Sequence, residues 1–143
     1  HGIRLRMIEK RFGKGAGLAA ETLPPMIAGP PDAEAAIIGF GSTKGVVAEA
    51  REILARDGLS VAAVHLRQLC PFPSGAVEGI LSRYGTALTV ENNRSGQLAR
   101  LIRAETGRKV AGTVSRCDGL PFTPGELAEE VRERLWPDRS IRR

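Results

Sequence analysis

The chain has 143 residues, of which 42% are hydrophobic and 26% charged, and its formal net charge at pH 7 is +5. This composition excludes a wholly disordered chain, and no apolar run reaches the ~20 residues needed to cross a bilayer. Two cysteines make no disulfide framework, and no signal peptide is recognisable. We therefore expect a cytoplasmic protein with no membrane contact. Because the chain opens His-Gly instead of Met, we also expect it to be part of a longer protein.

The positive charge is concentrated at the two ends of the chain. Residues 1–14 carry a net charge of +4 and residues 132–143 carry +3, whereas the body between them carries −2. A nucleic-acid interface places its basic residues on a folded surface, and stacking modes add aromatic residues among them. Aromatic residues make up only 4% of this chain. We therefore expect no nucleic-acid partner.

The first 33 residues have a different pattern from the rest of the chain. Leu5, Ile8 and Phe12 are spaced as on an amphipathic helix of one or two turns. Residues 13–33 are rich in glycine and proline, which predicts a linker, with a short edge strand near residues 26–28. We therefore divide the chain into a basic helix and linker (1–33), a domain (34–136) and a basic tail (137–143).

The domain alternates short apolar runs with helical patterns. The runs at 34–40, 60–66, 86–91 and 110–114 lack clean alternation, as in parallel strands buried on both faces. Four apolar stripes at helical spacing accompany them: Val46, Val47, Ala50, Ile53 and Leu54; Val77, Ile80, Leu81 and Tyr84; Leu98, Leu101 and Ile102; Leu127, Val131 and Leu135. Thr123, Pro124 and Glu126 predict a capping box for the last helix. The pattern predicts an α/β fold with a parallel sheet between two layers of helices.

Ligands of such folds bind at the carboxyl ends of the strands, so the loops there are the candidate sites. The first loop, Gly39–Gly45, reads GFGSTKG, which is neither the dinucleotide-binding glycine pattern nor a Walker A loop. Backbone amides at the start of the following helix can receive an anion. The alternative, which we favour, is that Gly39 and Gly41 permit a tight turn and Ser42 caps the helix.

The segment Val90–Leu98 (VENNRSGQL) is the densest polar stretch at a predicted strand end. Glu91, Asn92 and Asn93 can hydrogen-bond a ligand or another backbone, or the two asparagines can form a turn while Ser95 caps the next helix. We leave both interpretations open. The Asn-Asn pair also ends the thiamine diphosphate motif, but the Gly-Asp-Gly that this motif requires upstream is missing. We therefore expect no diphosphate–magnesium site in this chain.

Other catalytic constellations are poorly supported. Ser42, His65 and Asp118 are residue types of a catalytic triad, but no nucleophile elbow surrounds the serine. His65 lies in an apolar strand, which favours a hydrogen-bonded core histidine. Cys70 and Cys117 are 47 residues apart without a metal-ligand pattern. We expect both cysteines to be small core or loop residues and expect no metal or iron–sulfur site.

Six motifs in order carry a family resemblance. They are GFGSTKG (39–45), AEA (48–50), CPFP (70–73), VENN (90–93), SGQLA (95–99) and CDGLPFTP (117–124). Together they resemble the carboxyl-terminal domain of the alpha subunit of 2-oxoacid:ferredoxin oxidoreductases, most closely the 2-oxoglutarate enzymes. The resemblance covers residues 8–135. It implies a transketolase carboxyl-terminal-like fold of three α/β/α layers with a mostly parallel five-stranded sheet.

The resemblance also implies a function for the whole enzyme. Such an enzyme oxidatively decarboxylates a 2-oxoacid to its acyl-coenzyme A and reduces ferredoxin. Thiamine diphosphate, magnesium and an iron–sulfur cluster are implied in the beta subunit and in the rest of the alpha chain, so this fragment is expected to hold no cofactor, to contain no catalytic residue and to be inactive alone. Its expected partners are those two polypeptides, with ferredoxin and coenzyme A acting on the complete enzyme.

We expect the domain to serve assembly and to brace the active site or border a substrate channel. The strand-end residues expected to do so are Gly41, Ser42, Thr43, Gly45, Pro71, Pro73, Glu91, Asn92, Asn93, Gly96, Gln97, Asp118 and Gly119. Two alternatives remain at this point. One is the corresponding domain of a transketolase or a 2-oxoacid dehydrogenase, and the other is a free-standing flavodoxin-like nucleotide-binding module.

Overall fold

The computed structural model describes residues 2–20 and 22–139. Its helices and strands are, in chain order, α1 (Gly2–Ala20), β1 (Met26–Ala28), β2 (Ala35–Phe40), α2 (Lys44–Arg56), β3 (Val61–Leu66), α3 (Ser74–Tyr84), β4 (Ala87–Glu91), α4 (Gln97–Thr106), β5 (Gly112–Ser115) and α5 (Pro124–Leu135). Short 3₁₀ turns occur at Gly41–Thr43 and Pro137–Arg139. Within the described ranges, no helix is both long enough and apolar enough to cross a bilayer.

The five strands form one sheet in the order β1-β3-β2-β4-β5. Strands β2 to β5 are parallel, and β1 pairs antiparallel with β3 at one edge. Ile38 in the central strand is in register with Val64 of β3 and Thr89 of β4. The mostly parallel five-stranded sheet confirms the predicted architecture, and each predicted strand lies within two residues of its observed bounds.

Helices cover both faces of the sheet. Successive residues of a strand point to opposite sides, so each strand contributes side chains to both cores. Ile38, Val64 and Leu66 pack on one face against α3 and α4. Ile37, Val61 and Val90 belong to the core on the other face, against α2 and α5. The side chain of Arg132 in α5 pairs with Asp57 at the end of α2, which ties these two helices together. Three layers result, as predicted.

The amino-terminal region differs from the prediction. The helical backbone of α1 runs to Ala20, so it includes residues 13–20, for which a linker was predicted. The predicted edge strand is confirmed at Met26–Ala28, and it belongs to the sheet although it precedes residue 33. Ile3, Leu5, Met7 and Ile8 on α1 are exposed. The side chain of Phe12 and residues 140–143 of the predicted basic tail lie outside the described part.

Candidate functional site

The strand order reverses at the centre of the sheet. From β2 the chain passes outward to β3, and it then returns to the other side of β2 to form β4. The loops after β2 and β4 therefore leave neighbouring strands at a topological switch point, where open α/β sheets bind their ligands. The loops after β3 and β5 flank them on either side. The structure thus brings the four predicted loops together at the carboxyl ends of the parallel strands.

The loop after β2 is held by a buried threonine. The hydroxyl of Thr43, which is 3% exposed, donates a hydrogen bond of 2.9 Å to the carbonyl of Phe40. Gly39 makes this possible, since a Cβ atom there would lie 2.4 Å from the Thr43 Oγ1 atom. Gly41 turns the chain with a φ of +58°, a conformation that favours glycine. The two glycines are therefore needed for the turn, as predicted.

The predicted role of Ser42 was wrong. Neither the 3₁₀ turn nor α2 receives a side-chain capping hydrogen bond at its start. Ser42 lies within the 3₁₀ turn and is exposed, as are Gly41 and Gly45. The 3₁₀ turn supplies backbone hydrogen bonding that replaces the cap, as with the Lys44 N–H, which donates to the Gly41 carbonyl.

The loop after β4 is organised by a buried carboxylate. Glu91 is 0% exposed, and its carboxylate accepts hydrogen bonds from the backbone N–H groups of Leu98 (2.8 Å) and Ala99 (3.1 Å). A third hydrogen bond comes from the Asn93 amide nitrogen at 2.8 Å. Glu91 therefore caps α4 from the end of the preceding strand, where the positive end of the helix dipole stabilises a negative charge.

Asn93 completes the cap of α4. Its side-chain oxygen accepts from the N–H groups of Gly96 (2.9 Å), Ser95 (3.1 Å) and Gln97 (3.4 Å). Together with Glu91 it satisfies the first three N–H groups of the helix, and the N–H of Arg100 bonds to the carbonyl of Gly96. Within the described residues, the backbone N–H groups of the first turn of α4 are thus all bonded and none is left for an anion. The hydrogen bonds of Glu91 and Asn93 stay within the segment itself, where they hold the turn and the helix start.

The residue that caps this helix differs from the one expected. Gly96, with a φ of +62°, is the N-cap residue, so Ser95 does not cap α4. Gln97 is the first helical residue. The two asparagines have different environments. Asn93 is half-buried and hydrogen-bonded within the loop, whereas Asn92 is exposed. Asn92 and Gln97 are thus the exposed side chains of this loop that a partner could reach, together with Arg94 and Ser95.

The loop after β3 carries the two prolines of the third motif. The Cys70–Pro71 peptide bond is cis, and the Pro71 carbonyl accepts a hydrogen bond of 2.9 Å from the Gln68 amide. Gln68 also accepts from the N–H of Leu23, which fixes this loop to the segment before β1. Pro73 is buried at the start of α3. Gln68 and the two prolines therefore fix the path of the loop after β3, and the Gln68 side chain is used within the chain.

The loop after β5 is organised by Arg116, which sequence reasoning missed. Its guanidinium donates to Asp118 (3.1 Å), to Glu126 (2.8 Å) and to the Pro121 carbonyl (2.9 Å). It also lies over the ring of Phe122, 5.6 Å from the centroid. The hydrogen bond with Arg116 is the main cause that lowers the pKa of Glu126 to about 2. The predicted capping box is confirmed, and Arg116 is fixed to it through Glu126.

Asp118 is also held by a backbone N–H group of its own loop. Its carboxylate accepts from the N–H of Leu120 at 3.0 Å, and this hydrogen bond is the largest cause that lowers the pKa of Asp118. Leu120 itself is 62% exposed. Asn92, Gly119 and Leu120 border a concave surface of about 490 Å³ between the loops after β4 and β5.

The triad residue types do not come together. His65 lies on β3 and Asp118 follows β5, three strands away, which corresponds to about 14 Å at the spacing of neighbouring strands. His65 is half-buried, and its buried Nδ1 atom has no hydrogen-bond partner within the described residues, so the predicted hydrogen-bonded histidine was wrong. Burial, and then the charge of Lys44, lower the pKa of His65.

The acidic and thiol groups do not form a metal site in the described part of the chain. Among residues 2–20 and 22–139, no three His, Cys, Asp or Glu side chains come together. Glu91 is occupied by the helix cap, and Asp118 and Glu126 by Arg116. Cys70 and Cys117 are exposed loop residues and not core residues. These residues do not fit the magnesium–diphosphate group of thiamine diphosphate.

The fold and its strand-end loops define an α/β domain with the architecture of a transketolase domain. The structure is similar to that of Pichia stipitis transketolase with a TM-score of 0.57, over 77% of this chain and 18% of that one. At 17% identity this likeness concerns the fold alone. It confirms the transketolase-like fold class.

Residues 33–127 match the family described as pyruvate:ferredoxin oxidoreductase core domain II, and the chain belongs to this family. It is 36% identical to the alpha subunit of 2-oxoacid:ferredoxin oxidoreductase 2 from Aeropyrum pernix, over 75% of this chain and 17% of that protein. It also resembles 2-oxoglutarate:ferredoxin oxidoreductase from Magnetococcus marinus, solved with 2-oxoglutarate, coenzyme A and succinyl-CoA bound. In that case the identity is 34%, the TM-score is 0.82, and the match covers 92% of this chain and 23% of that one. The chain therefore spans less than a quarter of these relatives, and the family resemblance read from the six motifs is confirmed.

Proposed function

We propose that this chain is the corresponding part of the alpha subunit of a 2-oxoacid:ferredoxin oxidoreductase, with 2-oxoglutarate as its substrate. The enzyme would decarboxylate the 2-oxoacid oxidatively to an acyl-coenzyme A and reduce ferredoxin. The observation that carries the proposal is the match of residues 33–127, together with a fold shared at a TM-score of 0.82 with the Magnetococcus marinus enzyme. The redox and thiamine chemistry would belong to the remainder of the alpha subunit and to a beta subunit, because the described residues offer no site for it.

The domain would serve assembly and brace the active site. Its strand-end loops are pre-organised by their own side chains: Thr43 holds the loop after β2, Glu91 and Asn93 hold the loop after β4, and Arg116 holds the loop after β5. Loops fixed in this way present a surface of constant shape, which lowers the ordering cost of a protein contact. The exposed residues of that surface are Gly41, Ser42, Gly45, Asn92, Gln97, Asp118 and Gly119.

The remaining predicted site residues would act from behind that surface. Thr43, Pro73 and Glu91 are buried, and Pro71, Asn93 and Gly96 are half-buried. They would set the shape of the loops and would not touch a partner or a ligand themselves. This division separates residues whose substitution changes folding from residues whose substitution changes assembly.

The enzymatic part of the proposal is tested on the complete alpha chain co-purified with its partner subunit. We expect reduction of methyl viologen that requires both 2-oxoglutarate and coenzyme A. A complex that reduces viologen with neither 2-oxoglutarate nor any other 2-oxoacid would contradict the proposed reaction. Activity with a different 2-oxoacid would correct the substrate and keep the class of enzyme.

The assembly role is tested with a matched pair of variants in the same complex. Asn92→Arg places a bulky side chain on the exposed loop after β4, and Thr86→Arg places the same side chain at the exposed opposite end of that strand. We expect Asn92→Arg to weaken subunit association by about tenfold or more, because a clash at a packed interface is not relieved by rearrangement, and Thr86→Arg to have little effect. Equal association of both variants with the partner subunit would remove the assembly role.

A further inference from the structure

The segment from β4 to β5 holds a concentration of positive charge that the overall charge hides. Residues 92–113 contain five basic residues and one acidic residue, Glu105, in a chain body whose net charge is negative. Three of the five cations, Arg100, Arg103 and Lys109, line one groove of about 260 Å³ between α4 and β5. Within residues 2–20 and 22–139, none of these three side chains takes part in an ion pair. The groove is therefore a cationic surface without internal neutralisation.

The same groove runs beside an open edge of the sheet. Strand β5 is last in the strand order, so no described strand pairs with its outer side. The β5 residues at the groove are Gly112 and Thr113, and residues 106–115 contain no proline. The opposite edge strand, β1, is bracketed by Pro24, Pro25, Pro30 and Pro31, which interrupt backbone pairing. Only one of the two edges is thus suited to accept a further strand.

The wall of the groove is rigid on the helix side. The N–H of Ala99, which also lines the groove, is bonded to the buried Glu91 carboxylate at 3.1 Å. Arg100 and Arg103 are three residues apart on α4, so their side chains lie on the same side of the helix. Lys109 adds a third cation from the loop that leads into β5. A partner therefore meets three cations carried on a fixed helix and its following loop, next to the unpaired edge of β5.

We infer that this groove binds an acidic, extended segment of another subunit of the enzyme complex. The segment would pair with the outer edge of β5 and place its carboxylates against Arg100, Arg103 and Lys109. The alternative is that the cations only protect the edge from unwanted pairing, as lysines on edge strands do. The position of the charges favours docking, because the strand itself, Gly112–Ser115, carries none and the cations lie on the walls of the groove. The inference rests on the proposed function, since it requires a multi-subunit complex.

The first test is carbodiimide cross-linking of the intact, catalytically active complex followed by mass spectrometry. This reagent joins a lysine amine to a carboxylate only where the two are in contact. We expect Lys109 to be linked to an Asp or Glu of another subunit, with the yield reduced several-fold in 0.5 M salt. Linkage of Lys109 only to acidic residues of its own chain would overturn the inference. So would the absence of a link together with equal acetylation of Lys109 in the complex and in the separated alpha chain.

The second test uses two double variants of equal charge change. Arg100→Glu with Arg103→Glu reverses two groove cations, and Arg56→Glu with Arg83→Glu reverses two exposed arginines at the ends of α2 and α3. We expect the first pair to weaken subunit association by about tenfold at low salt, and the second by less than about threefold. Equal weakening by both pairs would overturn the inference, and the viologen assay of the parent complex shows separately whether the proposed enzyme exists.

Discussion

The loops after β4 and β5 are each organised by one charged side chain, and these two side chains differ in how deeply they are buried. Glu91 is 0% exposed and accepts three hydrogen bonds from its own loop and helix. The Arg116 side chain is 22% exposed, and it donates to two carboxylates and one carbonyl. The number of partners is similar. The difference is that the Glu91 carboxylate and the N–H of Leu98 are buried from water, whereas the partners of Arg116 lie at the surface.

That difference assigns different roles to the two loops. A buried donor left without its acceptor carries a desolvation penalty, so the loop after β4 and the start of α4 must form together with the core. A surface ion pair contributes little to stability, because water and salt screen it. The loop after β5 is thus shaped by exposed contacts that contribute little to stability, whereas the loop after β4 is anchored by a buried carboxylate.

Removing the buried carboxylate is the largest perturbation that this comparison predicts. Glu91→Ala leaves the N–H groups of Leu98 and Ala99 and the amide of Asn93 without their acceptor. We expect the free energy of unfolding to fall by about 2–4 kcal/mol, since an unsatisfied buried donor costs about 1–3 kcal/mol and, of the three, the Leu98 N–H is buried while the other two are half-buried. Urea unfolding followed by the fluorescence of Trp136, the single tryptophan, measures it. A loss no greater than that of Arg116→Ala would remove the distinction between the loops.

The two neighbouring asparagines give a smaller and better controlled contrast. Asn93→Ala removes the acceptor of three N–H groups and a donor to Glu91, so we expect a loss of about 1–3 kcal/mol. Asn92 is exposed, and Asn92→Ala should stay within about 0.5 kcal/mol of the parent chain. The same urea experiment compares them. Equal effects would mean that the cap does not depend on Asn93.

The comparison also shows which contacts a sequence can predict. The capping box of α5 was predicted because Thr123 and Glu126 are three residues apart, a spacing that carries its own signature. The cap of α4 reaches from Glu91 to Leu98 and Ala99, seven and eight residues away, across a loop whose path the sequence does not specify. Arg116 likewise reaches Glu126 over ten residues. Local spacing predicted the capping box of α5. The Ser95 cap was wrong because the carboxylate that caps α4 lies at Glu91, and the Ser42 cap was wrong because backbone hydrogen bonds of a 3₁₀ turn take its place.

The sheet itself was predictable for a related reason. Apolar runs such as Ala35–Phe40 and Val61–Leu66 lie buried on both faces, and burial acts on every residue of the run. The antiparallel edge strand β1 was predicted from glycines and prolines around three residues, which mark its ends. Glycine in residues 13–20 was weighted too strongly, since α1 continues through that segment. Propensity is a weak guide where no packing pattern accompanies it.

The smallest predicted effect is the pH response of the exposed loop. The pKa of Glu126 is lowered from 4.5 to about 2, first by its hydrogen bond with Arg116 and then by Thr123. Because the folded pKa lies below the unfolded one, Glu126 contributes stability that is fully present above pH 4.5 and lost as the pH falls towards 2. The Tm of the parent chain should therefore exceed that of Glu126→Gln at pH 6, and the difference should shrink between pH 4.5 and pH 2. Asp118, whose pKa is also lowered, first by its hydrogen bond with the Leu120 N–H, titrates in both proteins, so it enters the difference only through the Arg116 that it shares with Glu126.

An Arg116→Gln background tests whether the guanidinium is the cause of that pH response. With Arg116 absent, the largest reason for the lowered pKa of Glu126 is gone, so Glu126→Gln should change the pH dependence of Tm much less than it does in the parent chain. A Tm difference that stays constant from pH 6 to pH 2 in the parent background would contradict the assignment. If the pH response instead survives the loss of Arg116, the capping contacts of Thr123 alone hold the carboxylate, and the loop after β5 is organised by its helix cap in the same manner as the loop after β4.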